Sequence, residues 1–347
     1  MIVVMKPHAS RKAVDAVVAR VKDLGLGAHL SEGEELTIIG VVGSPLPPTL
    51  DGMLETLDEV DRVVRITKKY KLTGWDFHPQ KTLIRVRDVV IGGDDLTIIA
   101  GPCSVESEEQ TIETAKSVKA AGATLLRGGA YKPRTSPYEF RGLGIRGLEI
   151  LAQAREETGL PIITEVMTPA DIDTVGKYTD VFQIGARNCQ NYLLLEEVGK
   201  AGKPVMLKRG LSMLLEEWLL AAEYVMAQGN PDVILCERGI RTFETATRNT
   251  LDVSAVAVIQ GLSHLPVFID PSHAAGKRAL VPALSLAGVA AGADGLIMEV
   301  HPSPDHALSD GAQSLTFDEF SSLTPRIAAV AAAVGRRLPL TADLALA

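Results

Sequence analysis

Between Leu96 and Met298 the chain alternates short β-like runs with helical stretches about eight times. The runs are Leu96–Ala100, Thr124–Leu126, Pro161–Thr164, Val181–Ile184, Val205–Leu207, Val233–Leu235, Val267–Ile269 and Gly295–Met298. The stretches between them carry helical periodicity: Leu214, Trp218, Ala221, Ala222 and Val225 share one face, with Glu216, Glu217 and Glu223 elsewhere. Eight βα units in about 250 residues predict a TIM (β/α)8 barrel. A doubly wound open sheet also alternates β and α, and periodicity alone does not separate the two.

The first 67 residues have another texture. A short strand at Ile2–Met5 precedes Ser10–Leu24, where Ala13, Val14, Val17, Val18, Val21 and Leu24 fall on one helical face and Ser10 is placed to cap the start. β-rich runs follow at Ala28–Ser31 and Leu36–Val42 with Gly33 between them. Pro47 and Pro48 can open a second helix carrying Leu50, Met53, Leu54 and Leu57, and Val60–Thr67 reads as a last strand. The order βαββαβ is that of a small ferredoxin-like module, a unit often used for regulation. Residues 68–81 read as a linker, and 82–347 as the barrel domain, entered through a hairpin around Gly92-Gly93.

At 347 residues and 46% hydrophobic content the chain can bury both cores. Its longest apolar runs, such as Val281–Ala293, are interrupted and fall short of the roughly 20 residues that cross a bilayer. The start, Met1 to Lys6, lacks the features of a signal peptide, so a cytoplasmic location is expected. Three widely spaced cysteines make a disulfide scaffold an unsuitable reading. A formal charge of −8 argues against nucleic-acid or acidic-membrane binding, so a local cluster of cations needs its own explanation.

Such a cluster exists. Nearly every chemically capable side chain follows one of the β-like runs, which in a barrel is the face that forms active sites. Arg127, Lys132, Arg134, Arg187, Lys208, Arg209 and Arg238 all fall there. One arginine on a loop is ordinarily solvated or ion-paired, but this set on an acidic chain forms a rim suited to phosphate and carboxylate. Closing a barrel also makes its first strand a neighbour of its last, so Cys103, His273 and Glu299 follow three consecutive strands, with Asp310 in the loop beyond. Singly these read as a buried thiol, a loop histidine and paired acids; together they suit one divalent ion such as Mn, Fe, Co or Zn. Such an ion can act as a Lewis acid on a carbonyl. Cys189 and Cys236 read as structural, and His301 and His306 as neighbours of the metal site rather than ligands.

The segments Gly101-Pro-Cys-Ser104, Lys132-Pro-Arg-Thr-Ser136, Gly185-Ala-Arg187, Asp270-Pro-Ser-His273 and Leu308-Ser-Asp-Gly311 occur in this order. Over about Leu96 to Leu315 the chain thereby resembles the superfamily of 3-deoxy-D-arabino-heptulosonate 7-phosphate (DAHP) synthases and 3-deoxy-D-manno-octulosonate 8-phosphate synthases. The Lys-Pro-Arg-Thr loop is similar to the DAHP branch; the octulosonate branch typically has Lys-Ala-Asn-Arg there. Pro302-Ser-Pro-Asp-His306 departs from the more usual Pro-Glu-Pro run. Residues 1–67 resemble the ferredoxin-like extension of one DAHP synthase subgroup.

The resemblance implies condensation of phosphoenolpyruvate with erythrose 4-phosphate, the first step of the shikimate pathway. Arg127, Lys132, Arg187, Lys208 and Arg238 would hold phosphoenolpyruvate, helped by the Ala186 amide. Lys132, Arg134, Thr135 and Ser136 would receive the sugar phosphate, and Cys103, His273, Glu299 and Asp310 the metal. In the implied mechanism the metal polarises the sugar aldehyde, Lys132 protonates the developing alkoxide, and Glu165 or a neighbour assists water. Also implied are an aromatic amino-acid effector, tyrosine or phenylalanine, a homotetramer, and chorismate mutase as a partner. The alternatives are an octulosonate synthase using arabinose 5-phosphate, an inactive barrel serving as a regulatory partner, and an assembly role alone for residues 1–67.

Overall fold

The computed structural model describes residues 1–33, 36–43, 46–47, 49–65, 69–134, 136 and 138–338. The chain falls into two compact units, Met1–Lys81 with Leu262–His264, and Thr82–Gly261 with Leu265–Ala347.

In the first unit β1 (Ile2–Met5), α1 (Arg11–Asp23), β2 (Gly27–Glu32), β3 (Thr37–Val42), α2 (Leu50–Glu55) and β4 (Val60–Val64) follow the expected βαββαβ order. The sheet runs β2-β3-β1-β4 with antiparallel pairing. Val14, Val17 and Val21 of α1 pack against Val3, Met5, Ile39 and Val41, so helical and strand periodicities meet in one apolar layer. Ser10 caps α1 by accepting the Ala13 N–H, as its position suggested. α2 is shorter than expected and leaves Leu57 beyond its end; Pro48, Ile66 and Thr67 lie outside the described residues. In the segment read as a linker, Tyr70, Leu72 and Phe77 are buried within this same unit.

The second unit begins with a hairpin, β5 (Ile84–Val86) and β6 (Val89–Ile91). Its turn is at Arg87-Asp88, where Arg87 adopts φ 55°, and not at Gly92-Gly93 as the glycines suggested. Ile84, Val86 and Ile91 pack with Leu125, Val181, Ile234 and Phe268, residues near the starts of the barrel strands.

The barrel strands are β7 (Thr97–Gly101), β8 (Leu125–Arg127), β9 (Ile162–Glu165), β10 (Val181–Ile184), β11 (Val205–Lys208), β12 (Val233–Glu237), β13 (Val267–Ile269) and β14 (Gly295–Glu299). All pair in parallel and close in the order β10-β11-β12-β13-β14-β7-β8-β9, which excludes the open sheet. The β14–β7 pairing, Glu299 opposite Gly101, is the closure that brings the two ends of the domain together. Helices follow the strands, among them α3 (Glu108–Ala120), α4 (Ile145–Thr158), α5 (Ile172–Gly176), α6 (Tyr192–Lys200), α7 (Leu215–Met226), α8 (Ser254–Leu262), α9 (Pro271–Ala275), α10 (Val281–Ala290) and α11 (Phe317–Ala333). Trp218, Ala221, Ala222 and Val225 of α7 are buried as its periodicity requires, while Leu214 caps the helix and stays exposed. No described helix is long and apolar enough to cross a membrane.

Candidate active site

Several strands end on a charged residue that the sequence placed in a loop. Arg127, Glu165, Lys208, Glu237 and Glu299 are the last residues of β8, β9, β11, β12 and β14. A side chain at that register is held by the barrel ladder, so its aim is fixed before any ligand arrives.

The metal candidates converge where β14 meets β7. Ligand atoms of Cys103, Glu299 and Asp310 lie within 4.8 Å of one another. His273 stands at the edge of this group rather than inside it, its Nε2 3.4 Å from Glu299 Oε1. Cys103 Sγ donates to Asp310 Oδ2 at 3.2 Å, and Asp310 occupies the left-handed region at φ 51°. Burial, then Glu299, push the Cys103 thiol up to about 12. Burial also works against ionisation of Asp310, but His273 and Arg248 outweigh it and hold the carboxyl down at about 2. His273 is lowered by burial against the pull of Asp270 and Glu299. Glu299 Oε1 is buried without a hydrogen-bond partner. One thiol, one imidazole and two carboxylates, with a buried Glu299 oxygen held by charge contacts alone, fit a divalent transition ion, which would itself draw the proton from Cys103.

Beside this cluster a cavity of about 400 Å³ opens, lined by Lys132, Arg134, Glu165, Gln183, Ala186, Arg187, Lys208, Arg238, Arg241, Arg248, His273 and Asp310. Lys132 Nζ lies 3.0 Å from both Cys103 Sγ and the Cys103 carbonyl oxygen. Burial opposes its charge, yet Cys103 and Glu299 prevail and hold its pKa above the ordinary lysine value. Arg127 Nη2 sits 3.2 Å from Glu299 Oε1, while its Nε and Nη1 are buried without a partner. Arg238 Nη1 and Arg134 Nη2 are orphaned in the same way, although Arg134 Nε donates to Phe140 O at 2.9 Å. Buried guanidinium donors without acceptors are costly unless an anion supplies the acceptor.

Arg187 is exposed at the mouth, in the middle of the Ala186–Asn188 turn. Glu165 reaches the cavity wall, and a Cβ on Gly185 would collide with its carboxylate. Ser136 is half-buried, and Thr135 lies outside the described residues.

Arg209 does not belong to the anion rim. It is buried with Nη1 on Glu237 Oε2 at 2.9 Å and Asp252 Oδ2 at 2.8 Å, and Nε on Met213 O at 3.0 Å. The neighbouring strand register turns Lys208 and Arg209 to opposite sides, so only one of the pair can face the mouth. Cys189 and Cys236 are buried, and burial raises both thiols. His301 Nε2 lies 3.3 Å from Glu106 Oε2, and Glu106 Oε1 accepts the Leu308 N–H at 2.9 Å, which ties the eighth loop to the first.

Sequence reasoning missed Arg248, whose Nη1 lies 3.2 Å from Asp310 Oδ1, and Arg241. Both lie in the loop after β12, beyond the residues next to the strand end, Arg248 eleven residues past Glu237. It also gave Asp270 no role beyond its place in a motif.

A family model described as the DAHP synthetase I family matches residues 66–334, and one described as the DAHP synthase ferredoxin-like domain matches residues 1–68. The chain is 51% identical over 335 residues to a phospho-2-dehydro-3-deoxyheptonate aldolase of Thermotoga maritima, covering 96% of this chain and 99% of that one. A 2-dehydro-3-deoxyphosphooctonate aldolase of Syntrophotalea carbinolica is 35% identical over 270 residues, covering 72% of this chain and 96% of that one. A crystal structure of the Thermotoga maritima DAHP synthase superposes with a TM-score of 0.78 at 49% identity, covering 97% of this chain and 99% of that one. A truncated form of the 3-deoxy-D-arabino-heptulosonate 7-phosphate synthase of that organism gives 0.73 at 49% identity, covering 78% of this chain and 99% of that one. With both units matched in order, the chain belongs to the DAHP synthetase I family and carries that family's ferredoxin-like domain at its N-terminal end.

Proposed function

We propose that this chain condenses phosphoenolpyruvate with D-erythrose 4-phosphate and water, giving DAHP and inorganic phosphate. The observation that carries the reading is a cavity in which orphaned buried guanidinium donors stand beside a Cys–Glu–Asp cluster with His273 at its edge. Arg127, Lys132, Arg187, Lys208 and Arg238, with the Ala186 amide, bind the carboxylate and phosphate of phosphoenolpyruvate. Lys132, Arg134, Thr135 and Ser136 bind the sugar phosphate, with Arg134 nearest its phosphoryl group. Cys103, His273, Glu299 and Asp310 hold one divalent ion, of Mn, Fe, Co or Zn type, which when bound supplies Lewis-acid polarisation of the sugar aldehyde.

As C3 of phosphoenolpyruvate bonds to the aldehyde carbon, the Lys132 ammonium passes a proton to the developing alkoxide oxygen. Glu165 accepts a proton from the water that bonds to C2. The C2–O bond to phosphate then breaks, phosphate leaves with its electron pair and takes the proton of the C2 hydroxyl, and C2 becomes the ketone carbon. The cations that bound the substrate phosphate stabilise it as it departs.

The first unit acts in this reading as an effector module for tyrosine or phenylalanine, the assembly is a homotetramer in the cytoplasm, and chorismate mutase is a candidate partner. Binding isotherms with each amino acid, on the intact chain and one lacking residues 1–67, test the effector role. Phosphate release from phosphoenolpyruvate, with erythrose 4-phosphate or arabinose 5-phosphate, tests the reaction, each with chelator and then with Mn restored. Metal-restored turnover with the four-carbon sugar alone is the expected result. Turnover only with arabinose 5-phosphate would move the chain to the octulosonate branch, and none with either sugar would make the barrel a binding partner.

A further inference from the structure

Asp270 stands at the start of α9 and is wholly buried. Its Oδ1 accepts the His273 backbone N–H at 2.9 Å, an ordinary capping bond that orients the carboxylate. Its Oδ2 faces two partners at once, Lys208 Nζ at 2.5 Å and His273 Nδ1 at 2.7 Å. The contact with Lys208 is a short hydrogen bond, whereas that with Nδ1 is close but does not have hydrogen-bond geometry, leaving this ring nitrogen without a hydrogen-bond partner. The other ring nitrogen, Nε2, points toward Glu299 in the metal cluster. One buried oxygen thus lies between an anion-binding lysine and a metal-binding histidine.

We infer that Asp270 is a positioning residue that couples anion binding at Lys208 to metal affinity at His273. The inference rests on the anion and metal assignments proposed above. An anion that draws off the Lys208 ammonium leaves Oδ2 to the imidazole. A fully engaged carboxylate holds the proton on Nδ1 and makes Nε2 a better donor to a metal ion. Because the two binding events share one oxygen, each tightens the other by the same factor. The competing explanation is through-space repulsion, in which the Lys208 charge disfavours a nearby cation without help from Asp270.

A double-mutant cycle on the full chain separates the two, using Mn(II) binding by calorimetry with no substrate present. Lys208→Met removes the competing ammonium and is expected to tighten Mn(II) by roughly 5-fold or more. In the double variant with Asp270→Asn, removing Lys208 is expected to leave the Mn(II) affinity where Asp270→Asn alone put it. An equal tightening in both backgrounds would overturn the inference in favour of repulsion. No tightening from Lys208→Met alone would also overturn it, and that arm does not depend on the Asp270 variant folding. Failure of the unaltered chain to bind Mn(II) is a separate failure, visible before any substitution, and overturns the metal assignment together with the inference.

Discussion

Arg209→Met is expected to weaken the fold rather than the grip on substrate. The Arg209 guanidinium is buried, with one N–H group shared between Glu237, itself fully buried, and the partly exposed Asp252. Its Cζ also lies over the Trp218 ring, 5.9 Å from the ring centroid. Removing one member of a buried ion pair leaves the other charge uncompensated, at a cost of about 3–5 kcal/mol. The partly exposed Asp252 adds less. For domains of this size about 2–4 °C of melting temperature goes with each kcal/mol, so a fall of roughly 6–20 °C follows.

The cost should also depend on pH. Burial already raises the Glu237 pKa while Arg209 pulls it down, so losing Arg209 raises it further. A folded-state pKa above the unfolded one means the folded form binds more protons between the two values, and stability falls as pH rises through that window. The deficit should therefore be largest at neutral pH, shrink under mild acid, and be largely relieved by adding Glu237→Gln. Thermal unfolding by circular dichroism and phosphoenolpyruvate saturation curves make the test together. A melting temperature within about 2 °C of the unaltered chain, with a KM for phosphoenolpyruvate raised tenfold or more, would return Arg209 to the substrate rim and refute the reasoning.

Glu165→Gln is expected to lower kcat by about 10²–10⁴-fold without loss of fold, and Gly185→Ala, which displaces the same carboxylate, by about 10–100-fold. Ordinary kcat in both would remove Glu165 from water activation. Cys103→Ser should weaken Co(II) binding by more than about 100-fold and abolish the thiolate-to-metal charge-transfer band, whereas a retained band would show that Cys103 is not a ligand. In the first unit, burial lowers His264 from 6.5 to about 4 while its Nε2 contacts Leu72 O at 2.8 Å. That depressed pKa means stability present above pH 6.5 is lost toward pH 4, up to roughly 3 kcal/mol at about 1.4 kcal/mol per pH unit; urea melts of His264→Gln should lack this slope.

The barrel was legible because its strands are buried on both faces, so each appears as an apolar run broken where the chain emerges at the mouth. Closure was legible only through the count of eight units: nothing local in Thr97–Gly101 announces that Gly295–Glu299 will lie beside it, yet that pairing is what unites Cys103 with Glu299. Strand ends were read a residue or two early because a charge normally marks the end of a core run. Here Glu237 is the last strand residue and buried, since Arg209 compensates it. A charge pattern cannot tell a rim cation from a buried one, because sequence carries no sign of which side a strand-end side chain takes. Asp270 was hidden for another reason, as a capping aspartate looks the same whether or not its second oxygen has other partners. The hairpin turn was misplaced onto the glycines because Arg87, a residue that seldom takes positive φ, supplies it instead.

The β5–β6 hairpin has a consequence for traffic. With Ile84, Val86 and Ile91 continuing the apolar core formed by Ile99, Ile163, Met206 and Phe268, the lower end of the barrel is packed, and reactants and products share one doorway at the mouth. Under the proposed reaction a small leaving group and a larger sugar acid must then depart along the path by which the next pair arrives. Whichever lies nearer the mouth goes first, and the one beneath it waits. Release is therefore sequential by architecture, and each product should compete with the incoming substrate whose place it still occupies.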